Sequence, residues 1–170
     1  VSPAKFMLSE IGNLYAADSC LDGPDLAGDI VMAAVGCLAD DYFMLFGSGA
    51  MQEAHRRWFE NALLEYMTPD VSYRNVSDEW HGIALSGPKS RDLLARITRD
   101  DVGPQALKFR DLRRCFVGGV PVILNRISFS GELGYEIYCR PHFLLRLASA
   151  IEDAGADLGY RCYGARALMS

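Results

Sequence analysis

Arg126-Ile127-Ser128-Phe129-Ser130-Gly131-Glu132-Leu133-Gly134-Tyr135-Glu136-Ile137-Tyr138 is the stretch whose reading decides the fold of this chain. Ile127 and Phe129 alternate with Ser128 and Ser130, and Tyr135 and Ile137 alternate with Glu136 and Tyr138. Such alternation predicts two short strands joined by a Gly-Glu-Leu-Gly corner. Glycines on both sides of Glu132 relax the backbone and let another molecule come close. A carboxylate there offers two acceptors in one plane, which suits a ligand edge with two adjacent N–H donors. The other reading of the same residues is a β-corner with a solvated glutamate, and spacing does not choose between them.

The chain has 170 residues, 50% of them apolar, and a formal net charge of -5. That is the profile of a soluble globular domain long enough to bury a core. The acidic balance argues against nucleic acid or an anionic membrane surface as the main partner, since both need a basic face. No apolar run reaches the ~18 residues of a transmembrane helix. No basic segment followed by an apolar one opens the chain in the manner of a secretory signal.

Five cysteines, Cys20, Cys37, Cys115, Cys139 and Cys162, are scattered without a Cys-x-x-Cys pair. They fit reduced, mostly structural thiols, and the expected location is cytoplasmic. The chain opens without Met and stops inside what reads as the first turn of a helix, Gly164 to Ser170. Residues 1–170 are therefore expected to form one domain cut from a longer polypeptide.

Working outward from the corner, the pattern predicts a hairpin from Phe109 to Leu124 turning at Gly118-Gly119, where two glycines permit the positive φ of a tight primed turn. A helix is expected from about Pro141 to Ala154, capped by Gly155. Another begins at Gly87-Pro88 and carries Leu93, Leu94 and Ile97. A long helix runs from about Ala50 to Tyr66, with Met51, Ala54, Trp58, Ala62 and Tyr66 as its stripe. Val71–Val76 and Trp80–Leu85 read as strands. An irregular strand is expected within residues 5–17, and Asp22-Gly23-Pro24-Asp25 reads as a turn. Ile30–Val35 and Tyr42–Phe46 form a hairpin turned by residues 36–41. Hairpins outnumber parallel crossovers, so the expected class is α+β with antiparallel sheets.

Gly47-Ser48-Gly49 before a helix lacks both the third glycine of a dinucleotide fingerprint (Gln52 stands there) and a Walker lysine. A strand-to-helix turn accounts for it. His55, His81 and His142 share no metal-ligand spacing, so no metal site is expected. Trp58 and Trp80 read as core residues. Asp29 stands at the start of an apolar strand behind Gly28, either aimed into a cleft or closing a turn. Arg166, in Gly-Ala-Arg, is either a fork for a carboxylate or a surface residue.

Together the strings Gly87-Pro88-Lys89-Ser90-Arg91-Asp92-Leu93-Leu94, Arg126 to Glu136, and Gly164 to Ser170 resemble the folate-binding domain of the glycine-cleavage T-protein (aminomethyltransferase) family. The closing Gly-x-Arg-Ala-Leu-x-Ser and residues 38–49 look most like the dimethylglycine and sarcosine dehydrogenase branch, in which this domain follows a flavin domain. The resemblance covers about residues 20–170. It implies an enzyme of one-carbon metabolism with tetrahydrofolate as cofactor and a small amine as donor. A one-carbon unit would pass from an aminomethyl or iminium donor into 5,10-methylenetetrahydrofolate.

Carried over residue by residue, the family's pterin-binding glutamate matches Glu132, its active-site aspartate aligns with Asp29, and its Gly-x-Arg arginine aligns with Arg166. Phe129 stands before the corner where T-proteins usually carry Tyr. Pro24-Asp25 replaces the usual glycine pair, and Gly28 stands where many members have a second acidic residue. Two further readings follow from the same resemblance: a folate-binding or assembly protein without transfer activity, and a folate-dependent S- or O-demethylase.

Overall fold

The structure is a computed structural model that describes residues 34–47, 49–65, 71–128 and 130–164. The expected features within residues 5–33 and 66–70 lie outside that range, as do Asp29, Phe129 and Arg166. The described residues fall into two compact units, one ending at Asn75 and the other beginning at Val76. Both combine helices with antiparallel strands, which is the expected class.

In the first unit, β1 (Ala34–Ala39) pairs antiparallel with β2 (Tyr42–Phe46). The turn is tighter than residues 36–41, because Ala39 pairs with Tyr42 and only Asp40 and Asp41 protrude, both exposed. A 3-10 turn at Gly49–Met51 then leads into α1 (Gln52–Glu65). Its buried residues are His55, Phe59 and Ala62, so the inward face is rotated from the expected stripe and leaves Ala54 exposed. Phe59 gathers Leu45, Trp58, Leu63, Val71 and Tyr73 around it. Residues 71–76 are irregular rather than a strand, and Val71 and Tyr73 serve packing on Phe59 instead of a ladder.

In the second unit a four-stranded sheet runs in the order β3-β6-β5-β4, every pair antiparallel. The strands are β3 (His81–Ser86), β4 (Leu112–Val117), β5 (Val120–Asn125) and β6 (Gly134–Cys139). The β4–β5 hairpin turns at Gly118 (φ 59) and Gly119 (φ 71). Two helices, α2 (Ser90–Ile97) and α3 (Leu144–Gly155), cover one face of the sheet. The core lies between them and is built from Leu85, Leu93, Leu94, Leu124, Tyr135, Ile137, Leu147 and Ile151 with their neighbours. Period-two alternation puts Tyr135, Ile137 and Cys139 of β6 into this core, while Glu136 and Tyr138 face the other way.

Three local expectations shift. Arg126–Ser128 forms no strand: the ladder's last β5–β6 pair is Asn125 with Glu136, and beyond it the backbone of Arg126 bonds to the turn at Arg110 and Asp111. α2 begins at Ser90, after Pro88 and Lys89 have made a turn. Gly155 is not the cap of α3, since a 3-10 turn (Ala156–Leu158) follows and Gly159 carries the left-handed φ of 82. Gly155 is small for a packing reason, because a Cβ there would lie 2.8 Å from Leu93 Cδ1 and 2.7 Å from Tyr160 Cβ.

Candidate functional site

The Gly-Glu-Leu-Gly corner leads into β6, and its shape follows from hydrogen bonds on either side of Glu132. Gly131 takes φ 78, a backbone that L side chains rarely adopt. The next residue but one, Leu133, is half-buried against the core, and its carbonyl accepts bonds from Gly87 N–H at 2.8 Å and Ser90 Oγ at 3.0 Å. Gly134 is glycine because of close approach. A Cβ there would meet Ser128 Cβ at 2.7 Å and Ser86 Oγ at 3.0 Å. Its carbonyl accepts from Arg126 Nη1 at 3.0 Å, and Ser128 Oγ lies 3.0 Å from Ser130 Oγ.

Between these restraints Glu132 is exposed, and among the described residues no hydrogen bond or ion pair engages its carboxylate. A fixed backbone with an uncommitted two-oxygen acceptor fits the two-donor reading of the sequence and equally the solvated glutamate of its alternative.

Beneath the corner sits Tyr135, with 0% of its surface exposed. The guanidinium of Arg126 lies 5.3 Å from its ring centroid and that of Arg91 lies 5.9 Å away. Burial raises the Tyr135 hydroxyl above the ordinary phenol range, partly opposed by Arg91 and Arg126. The Tyr135 hydroxyl and Arg126 Nε are both buried without a partner among the described residues. Arg91 also donates to the Val102 carbonyl. The sequence pattern places Arg126 in a strand and gives it no part in the site. The available signal was a basic residue opening an otherwise apolar–serine alternation.

Of the four residues singled out by the resemblance, only Glu132 can be placed; Asp29, Phe129 and Arg166 lie outside the described residues. Elsewhere, Gly47 packs on His55, whose Nδ1 would be 2.7 Å from a Cβ at that position. That contact explains the first glycine of Gly47-Ser48-Gly49 without a phosphate. Among the described residues no three His, Cys, Asp or Glu side chains could share a metal ion. None of the described helices is long and apolar enough to cross a membrane.

Residues 25–170 match the model of the GCVT N-terminal domain, and the chain belongs to that family. It is 33% identical over 129 residues to mitochondrial dimethylglycine dehydrogenase of Homo sapiens, which covers 75% of this chain and 14% of the relative. It is 27% identical to the aminomethyltransferase of Halothermothrix orenii over 87% of this chain and 39% of that protein. Sarcosine oxidase subunit alpha of Rhizobium meliloti is 36% identical over 58% of this chain and 10% of its own length. The chain thus spans well under half of the curated relatives it matches. The heterotetrameric sarcosine oxidase of Corynebacterium sp. U-96, solved in complex with pyrrole 2-carboxylate, shares the fold. Its TM-score is 0.60 at 19% identity, over 78% of this chain and 64% of that one.

Proposed function

We propose that this chain is the folate-binding part of an aminomethyl-transfer enzyme, and that residues 1–170 belong to one such domain within a longer protein. Its relatives are aminomethyltransferases and amine dehydrogenases, and the family model spans both compact units. The observation that carries the reading is Glu132: an exposed carboxylate without a protein partner, on a bend held by the Leu133 and Gly134 carbonyls. A reduced pterin presents a ring N–H beside an amino group, and a carboxylate can accept both at once.

In this reading tetrahydrofolate, when bound, supplies the nitrogen nucleophiles that accept a one-carbon unit at the formaldehyde oxidation level. The chain's own task is to bind and orient. Glu132 holds the pterin edge, Asp29 orients a folate nitrogen or relays its proton, Arg166 serves the cofactor or the substrate carboxylate, and Phe129 borders the ring. Holding the reacting partners together accounts for most of the rate gain, as for proximity catalysis in general. A flavin amine dehydrogenase elsewhere in the full-length protein would be the source of the one-carbon donor.

The test is product identity. The full-length protein, given tetrahydrofolate with formaldehyde or an aminomethyl donor, is expected to accumulate 5,10-methylenetetrahydrofolate. Accumulation of 5-methyltetrahydrofolate from a methylated sulfur or oxygen donor would select the demethylase reading instead. Saturable binding with no product would select a folate-binding protein without transfer activity.

A further inference from the structure

We propose that Arg126 is the positioning residue of the Glu132 corner. Its guanidinium, lying over the Tyr135 ring and donating to the Gly134 carbonyl, sets the bend from which the carboxylate meets its ligand. This inference rests on the pterin reading of Glu132.

Arg126 is half-buried, and among the described residues it makes no ion pair. Its contacts are directed at the corner instead. Nη1 donates to Gly134 O at 3.0 Å, two residues after Glu132. The same group lies 5.3 Å from the Tyr135 ring centroid and 6.0 Å from that of Phe109. Its main chain is tied as firmly: Arg126 N–H donates to Asp111 O, and Arg126 O accepts from Arg110 N–H, both at 2.9 Å.

Arg110 has φ 71, the one non-glycine residue with positive φ among the described residues, so the backbone on that side is itself held in an uncommon conformation. Asp111 fixes the turn by accepting from Lys108 N–H at 2.7 Å. Arg126 therefore links a braced turn at residues 108–111 to the first residue of β6. A guanidinium can donate in its own plane while its face is turned to an aromatic ring, a geometry that the compact ammonium of lysine does not reproduce. Leu133 is held independently by Gly87 and Ser90, and Gly134 pairs with Ser86 of β3, so loss of the Arg126 bond leaves the corner attached and removes only the brace on the Gly134 carbonyl.

The experiment is a double-mutant cycle on the full-length protein, with tetrahydrofolate as titrant and amide exchange as the readout of folding. Arg126→Lys is expected to weaken tetrahydrofolate about tenfold in the wild-type background and by less than about twofold beside Glu132→Ala, because its effect is transmitted through that carboxylate. Faster exchange at the Gly131 and Gly134 amides, with the Ile137 and Cys139 amides unchanged, is expected alongside. Equal losses in both backgrounds would overturn the inference and mark Arg126 as a general stabiliser. Wild-type affinity in Arg126→Lys, with Glu132→Ala weakened, would overturn it while leaving the pterin reading intact. Wild-type affinity in Glu132→Ala would overturn the pterin reading itself, and this inference with it.

Discussion

Tyr135→Phe should make the second unit more stable, although it removes a polar group from the middle of the candidate site's support. The ring is fully buried, and its hydroxyl has no hydrogen-bond partner among the described residues. A buried unpartnered hydroxyl costs about 1–3 kcal/mol, because its bonds to water are lost on folding without replacement. Phenylalanine keeps the ring in contact with Leu85 of the facing strand and the core around it. It also keeps a π-face for Arg91 and Arg126, at 5.9 and 5.3 Å from the centroid. Each stacked cation is worth about 0.5–1 kcal/mol at such a site, and only a fraction of that depends on the hydroxyl. The net expectation is a gain of about 1 kcal/mol, or roughly fivefold in the unfolding equilibrium. Native-state amide exchange at Ile137 and Cys139 of β6 reads the free energy of this unit alone, which matters in a chain with two compact units. Slower exchange by about that factor supports the accounting. Faster exchange would mean that the hydroxyl holds a partner, and would refute it.

Gly118→Ala should cost about 2–4 kcal/mol, since φ 59 strains an L residue and the new Cβ would sit 2.6 Å from Ala150 Cβ in α3. Gly119→Ala, at φ 71 but facing only the flexible Arg146 guanidinium, should cost about half as much. Urea midpoints check both, and equal losses would show that the approach of α3 is not what matters. Burial pushes the Cys115 thiol from an ordinary 9.0 to about 11. The folded state therefore keeps this proton longer than the unfolded chain does, so the contribution is complete below pH 9 and fades as pH rises toward 11. The buried Cys139 thiol and the Tyr138 hydroxyl are raised in the same sense. The urea midpoint should fall across that window, less steeply in Cys115→Ala; an identical fall in the variant would contradict the assignment.

What the sequence made legible was whatever a single segment encodes by itself. The alternation of Tyr135, Glu136, Ile137 and Tyr138 set the faces of β6, Gly118-Gly119 set the hairpin, and Leu93-Leu94 set the inner face of α2. Misreadings occurred where a distant partner decides. Ile127 and Ser128 alternate as a strand does, yet the ladder has already ended at Asn125–Glu136. Val71 and Tyr73 are good strand formers recruited by Phe59. Gly155 imitates a cap, but its lack of a side chain makes room for Leu93 and Tyr160.

At the site, the two glycines advertised Glu132, because positive φ and close approach leave a trace in residue type. The approach of Arg126 to the Tyr135 and Phe109 rings left none, since spacings of nine and seventeen residues fit neither the strand nor the helix period. The resemblance to the T-protein family was legible from three short strings, and the family model confirms it over residues 25–170.

The most direct test of the account is a calorimetric titration of tetrahydrofolate into the full-length protein and its Glu132→Ala variant. Loss of a bidentate charged acceptor should weaken binding about tenfold or more, with the fold unchanged by amide exchange. The same dissociation constant in both proteins would contradict the claim that this carboxylate grips the pterin.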